Sequence, residues 1–150
     1  MKKIFLMAIL SMVLINCNND DNGEQIFTPQ VITPVLIAQS PSGGPFFNFP
    51  NQASIYFTEE NEWEQFKEDY WLQSTNYPEA IIDFNDHIPI ICMDESRPDS
   101  GYVLNINSIV EYQDSIVVDV ESFYGGGAMT PSRPFIAVKI PKTEKPIVFD

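Results

Sequence analysis

The sequence predicts an α+β fold, one helix followed by a mainly antiparallel β-sheet in a meander or roll. Three observations carry that expectation. Between residues 80 and 149 the apolar residues fall into six short runs, several of them alternating with polar residues, and no helical period intervenes. Ahead of them, residues 59–72 carry Trp63, Phe66, Tyr70 and Trp71 at three- and four-residue spacing. Residues 26–39 are rich in β-branched side chains but interrupted by Pro29 and Pro34, a pattern that belongs to sheet edges.

The elements follow in order. Residues 41–50 are turn chemistry carrying Phe46, Phe47 and Phe49, and residues 54–57 form a short strand leading into the helix. Thr58 is the natural N-cap, and Glu59, Glu60, Glu62 and Glu64 lie where the positive end of the helix dipole favours them. The aromatic stripe on this helix faces a core. Pro78 closes the connection that follows. The expected strands are 80–84, 88–93, 102–112, 115–124, 134–140 and 146–149. In the fourth, Ile116, Val118 and Val120 face one way and Asp119 and Glu121 the other, the mark of a sheet with one wet face. Gln113 and Asp114 make a short hairpin turn. With no long helix between the strands, parallel crossovers are not expected.

The N-terminus reads as an address rather than as part of the fold. Lys2 and Lys3 precede an uncharged apolar run from Ile4 to Ile15, about twelve residues long. That suits a signal peptide, whereas a membrane-spanning helix needs roughly 20 apolar residues. The run ends in Leu14-Ile15-Asn16-Cys17, which resembles the lipobox of bacterial lipoproteins. The resemblance implies cleavage after residue 16 and a diacylglyceryl thioether, with palmitate-type chains, on Cys17. Two or more such chains hold a protein stably at a membrane. The expected organisation is a signal peptide at 1–16, a lipidated tether at 17–25 and one α+β domain at 26–150. Asp20, Asp21 and Glu24 after the cysteine resemble acidic surface-export signals, so the expected location is the cell envelope, anchored to the outer membrane and exposed at the surface.

Charge and composition narrow the function. The chain has 8 Lys+Arg against 21 Asp+Glu, a formal net charge of −13. Such a surface repels phosphate backbones, so no nucleic-acid partner is expected. Cys17 and Cys92 are the only cysteines, which leaves one thiol in the domain and no internal disulfide. The core is then held by packing, which 13% aromatic residues can supply.

Catalytic chemistry finds little to work with. His87 is the only histidine, and no Gly-x-Ser-x-Gly elbow accompanies it. His87 and Cys92 are five positions apart, so on one strand their side chains oppose each other. One histidine and one thiol are too few for zinc. Asp83, Asp86, Asp94 and Glu95 are the best-placed carboxylates for glycoside chemistry, with solvation the commoner role. Gly125-Gly126-Gly127 is followed by no Lys-Ser/Thr and no helix, so it is not a phosphate loop. The expectation is a non-enzyme without cofactor or metal.

The glycines nonetheless lie among side chains typical of interfaces: Phe123, Tyr124, Met129, Arg133 and Phe135. We therefore expect residues 123–133 to contact a partner, the alternative being a long hairpin loop whose flanking aromatics pack in the core. Phe123, Tyr124, Gly125, Gly126, Gly127, Met129 and Arg133 form the contact, Arg133 stands out on an acidic surface, and the loop is mobile until bound.

Ile82-Asp83-Phe84, Ser100-Gly101-Tyr102, the glycine loop, Ser132-x-Pro134-Phe135 and Ala137-Val138-Lys139-Ile140-Pro141 occur in an order that resembles the PrcB C-terminal domain family, over about 55–149. The family is named for a subunit of a cell-surface protease complex, and its members are often lipoproteins. The resemblance implies a non-catalytic envelope protein that binds another protein, as an accessory or stabilising subunit of such a complex. The alternative is a surface glycan-binding or nutrient-capture lipoprotein, suggested by Phe46, Phe47, Phe49 and the tryptophans.

Overall fold

The computed structural model describes residues 26–41, 49, 52–71 and 79–150. The signal peptide, Cys17, the tether, Phe46, Phe47 and Pro78 lie outside the described residues.

Among the described residues the fold is mixed α+β, with one short α-helix and two four-stranded sheets. The strands are β1 (Gln30–Val31), β2 (Val35–Ser40), β3 (Ala53–Tyr56), β4 (His87–Met93), β5 (Tyr102–Glu111), β6 (Ile116–Tyr124), β7 (Phe135–Pro141) and β8 (Ile147–Phe149). One sheet has the order β1-β5-β6-β8 and the other β2-β7-β4-β3. A single helix followed by a single sheet is therefore not what forms. Three strands precede the helix, and the later strands divide between two layers.

The division follows from which strands are apolar on both faces. In β4 and β7, Ile91, Met93, Phe135 and Ala137 face a core shared with Trp63, Phe66 and Trp71. The alternate residues Ile88, Ile90, Cys92, Ile136, Val138 and Ile140 face a second core shared with Leu104, Ile109, Ile116 and Val118 of the other sheet. The β2-β7-β4-β3 sheet is thus the middle of three layers, which explains its nearly unbroken hydrophobic strands. The other sheet buries one face and wets the other. Val118 is buried as its alternation predicts, while Glu121 is exposed and accepts a hydrogen bond from Asn107 at 3.0 Å. A register shift between Ile106 and Ser108 moves the buried position from Leu104 to Ile109.

The prolines keep to the edges as expected. Pro29 and Pro34 flank β1 and β2, each an edge strand of its own sheet. Pro89 is the exception, inside the central strand β4. It is tolerated because β3 ends at Tyr56, so the missing N–H lies where the ladder stops, and the Pro89 carbonyl still accepts from the Phe57 N–H at 3.2 Å.

The helix α1 (Glu60–Phe66) starts one residue later than Thr58 capping would require. Its N-cap is Glu59, which makes no side-chain cap bond. A π-helical turn (Lys67–Trp71) continues it. The stripe is core, as expected: Trp63 and Trp71 are buried with ring centroids 6.1 Å apart, and Trp71 meets Phe135 edge-on at 6.2 Å. The Trp63 indole N–H donates to the Ala80 carbonyl at 3.2 Å. That bond brings residues 80–82 against the helix, where Ala80 and Ile82 are buried but pair with no strand. The apolar character of 80–84 reflects this packing and not a ladder.

One pairing overturns the expectation of no parallel strands: β6 and β8 run parallel, Ile116 opposite Ile147 and Val118 opposite Phe149. The crossover is not a helix but β7, which lies in the other sheet. Leaving one sheet and returning to it through the second layer reverses the chain direction twice.

Candidate functional site

The end of the molecule that carries the glycine loop is built by two chain crossings between the sheets. Residues 94–101 pass from β4 to β5, and residues 125–134 pass back from β6 to β7. The register puts the start of each beside the end of the other, with Met93 opposite Phe135 and Tyr102 opposite Tyr124. The crossings run antiparallel and hydrogen-bond to one another. Asp94 N–H donates to Pro134 O at 2.9 Å, and Arg97 and Ser132 exchange backbone bonds of 2.8 and 3.0 Å. Ser100 N–H donates to Ala128 O at 3.1 Å and Gly125 N–H to Gly101 O at 2.9 Å, while Ser132 Oγ donates to Asp99 O.

The glycines serve this contact. A Cβ on Gly127 would lie 2.6 Å from Gly101 Cα and 2.8 Å from the Ser100 carbonyl carbon, and one on Gly101 would lie 2.6 Å from the Gly126 carbonyl carbon. Only hydrogens fit between the two backbones. Gly126 also has φ +87°, in the region closed to most side chains. The loop expected to contact a partner is hydrogen-bonded to its neighbour at Gly125, Ala128 and Ser132.

Asp94 anchors the arrangement. It is buried, and its carboxylate accepts from Glu95 N–H (2.7 Å), Ser122 Oγ (2.6 Å), and Arg97 Nε and Nη2 (2.9–3.1 Å). Ser122 belongs to β6, so one carboxylate joins the end of one sheet to the other. Arg97 also pairs with Glu95 at 2.7 Å and lies 4.7 Å from the centre of the Tyr102 ring. Tyr102 in turn meets Tyr124 at 4.9 Å between centroids.

The expected contact residues divide. Phe123 and Tyr124 are 44% and 55% exposed and Met129 is 97% exposed, so three apolar side chains reach solvent at this end. Gly125, Gly126 and Gly127 are exposed along the crossing between them. Arg133 is not with them. It is only 7% exposed, so the expectation that it stands out on the surface is corrected. Its backbone continues from the Ser132–Arg97 bridge into β7, and that pairing carries it inside. Sequence reasoning also missed Asp94 as the hub and Gly101 as the partner of Gly127. The aspartate in a strand-end run and the Gly-Tyr strand start were the available signals.

The remaining chemical candidates are dispersed. Cys92 faces the inter-sheet core on β4, and the odd spacing sets it on the opposite face from His87. Burial pushes its thiol from 9.0 up to about 11, against a smaller opposing effect of a hydrogen bond with Ser54. Asp83 is in an exposed turn, where the Asn85 backbone N–H and then its side-chain amide hold the carboxyl below its ordinary value. Asp83 and Asp94 line different clefts. Among the described residues no group of three or more His, Cys, Asp or Glu side chains could hold a metal, and no helix is long and apolar enough to cross a membrane.

The opposite end of the β5–β6 hairpin lies beside Ile26 and Phe27, the first described residues. Lys145 lies 4.3 Å from the Phe27 ring centre and donates to the Tyr112 carbonyl at 2.7 Å, and Ile26 and Phe27 share a cleft with Gln113. The glycine loop is therefore a full β5 length from Ile26, roughly 30 Å at ~3.3 Å per residue.

These features define a mixed α+β protein in which the end of β6 exposes Phe123 and Tyr124 and the adjoining crossing exposes Met129, beside a hydrogen-bonded pair of crossings. No family model, curated protein or solved structure matches the chain.

Proposed function

We propose that the chain is a non-catalytic, lipid-anchored envelope protein that binds another protein through the glycine-loop end, as an accessory or stabilising subunit. The observation that carries this reading is the exposure of Phe123 and Tyr124 at the end of β6, paired with β5, and of Met129 on the crossing hydrogen-bonded to its neighbour. A surface ordered before contact avoids part of the entropic cost of association. The resemblance of the motif order to the PrcB C-terminal domain family suggests a cell-surface protease as the partner. Anchoring through Cys17 would leave this end about 30 Å beyond the point where the tether joins the fold, facing away from the lipid. The glycan alternative loses part of its motive, because Trp63 and Trp71 are buried and Phe49 packs on Phe66 and Tyr70.

Phe123→Ser with Met129→Ser tests the contact. Capture of a defined protease from solubilised envelopes should fall at least about tenfold, as truncated interface anchors commonly cost ~2 kcal/mol. The melting temperature should fall only slightly, since Met129 is almost fully exposed and Phe123 is 44% exposed. Equal capture by variant and wild type would refute the contact.

Cys17→Ser tests the anchor separately. The variant should leave the membrane fraction for the soluble one and lose labelling by a fatty-acid analogue. Unchanged fractionation, with a wild-type mass that keeps residues 1–16, rules the anchor out. Protease shaving of intact cells distinguishes the outer surface from the periplasm.

A further inference from the structure

Arg133 is one of only two arginines in the chain, and the two have opposite environments. Arg97 is 24% exposed at its side chain and pairs with both Asp94 and Glu95. Arg133 is 7% exposed; its Nε and Nη1 are buried with no acceptor among the described residues, and Nη2 is not among those sealed atoms. A guanidinium cannot shed its charge in a protein, and an unpaired buried charge is strongly disfavoured. The chain has 21 carboxylates to draw on, yet none of the described ones pairs with this cation. Asp94, on the adjoining crossing, is saturated by Arg97, Ser122 and Glu95 N–H.

The chain's other residues do not supply the missing anion either. Residues 42–48, 50–51 and 72–78 contain no Asp or Glu. Asp20, Asp21 and Glu24 precede Ile26, which joins the fold at the far end of β5. Six residues from Asp20 span at most ~22 Å, short of the roughly 30 Å to the crossing that holds Arg133.

We propose that Arg133 is a carboxylate-binding residue whose partner anion comes from outside this chain. The planar fork of its guanidinium matches a carboxylate's two oxygens. The acidic chain favours a monoanion over a phosphate dianion, which meets about twice the repulsion. The carboxylate belongs to a small acid or to a partner's acidic side chain or C-terminus. This inference does not depend on the partner reading, because its probe is acetate alone.

The experiment is acetate titration of the full chain at constant ionic strength in chloride. Two arginines give two Nε–H resonances in a ¹⁵N spectrum. Acetate should shift the Arg133 resonance saturably and leave the Arg97 resonance in place. The melting temperature should rise by about 3 °C or more at saturation, as a ligand bound only to the folded state requires. Arg133→Met should remove both responses and melt no lower than wild type in chloride. If Arg133→Met fails to fold, Arg97→Lys assigns the two resonances and the spectrum of the wild type decides. A static Arg133 resonance, or an equal thermal response in wild type and Arg133→Met, overturns the proposal. A wild type that binds acetate and loses captured protease as acetate rises assigns the carboxylate to the partner. Binding without such competition assigns it to a free acid.

Discussion

Gly127→Ala should destabilise the chain by about 2–4 kcal/mol, while Gly125→Ala, two residues away, should cost within ~0.5 kcal/mol. The contrast comes from where a methyl would go. At Gly127 it meets the Gly101 Cα at 2.6 Å and the Ser100 carbonyl carbon at 2.8 Å, and these are backbone atoms that no rotamer change can move. At Gly125 the nearest atom is Gly101 O, 3.9 Å away, an ordinary contact. Gly101→Ala should resemble Gly127→Ala, because it presses on the same interface from the other side. Relief requires the two crossings to part, which breaks the bonds Ser100–Ala128 and Gly125–Gly101. Urea denaturation of the three variants measures the effect. Equal midpoints would mean that the crossings do not touch as described, and the frame for Met129 would fall with them.

The second large effect is expected at Asp94. Asp94→Ala should cost about 3–5 kcal/mol, the range for breaking a buried, hydrogen-bonded ion pair by removing one member. Three groups lose their acceptor together: the Arg97 guanidinium, the Ser122 hydroxyl and the Glu95 N–H. Arg97 keeps Glu95, which is exposed and a weaker partner. Ser122→Ala alone should cost roughly 1.5–3 kcal/mol, the worth of a hydrogen bond to a charged group. The double variant should be less destabilised than the sum, since both remove the same link between the sheets. Strict additivity in chemical denaturation would show that Asp94 and Ser122 act independently, and the carboxylate would no longer count as the tie between β4 and β6.

Much of the local structure was legible in particular residues. Ile116, Val118, Asp119 and Glu121 marked a one-sided strand, and β6 buries the apolar members of that set. Pro29 and Pro34 marked sheet edges, and β1 and β2 lie there. Trp63, Phe66 and Trp71 marked an inward helical stripe, and all three are buried. In each case one property of a short segment, its alternation, its missing donor or its helical spacing, specifies which side turns inward.

What the sequence did not reveal is where distant segments meet. Residues 80–84 look like a strand, but whether an apolar run pairs or merely packs depends on the Trp63–Ala80 bond across the chain. The parallel β6–β8 pair had no local mark, since its crossover is a strand in another layer. Met129 and Arg133 are both interface-type residues four positions apart, yet one is almost fully exposed and the other almost fully buried. Side-chain type alone makes them equivalent, and only the pairing of Ser132 with Arg97 separates them. By itself the sequence determined the α+β composition and the inward faces of β6 and the helix, because those depend on neighbours within a turn or a strand. The tertiary structure decided the two-sheet division, the docking of the crossings at Gly101 and Gly127, and the burial of Arg133, because each is a contact between segments that no local period encodes.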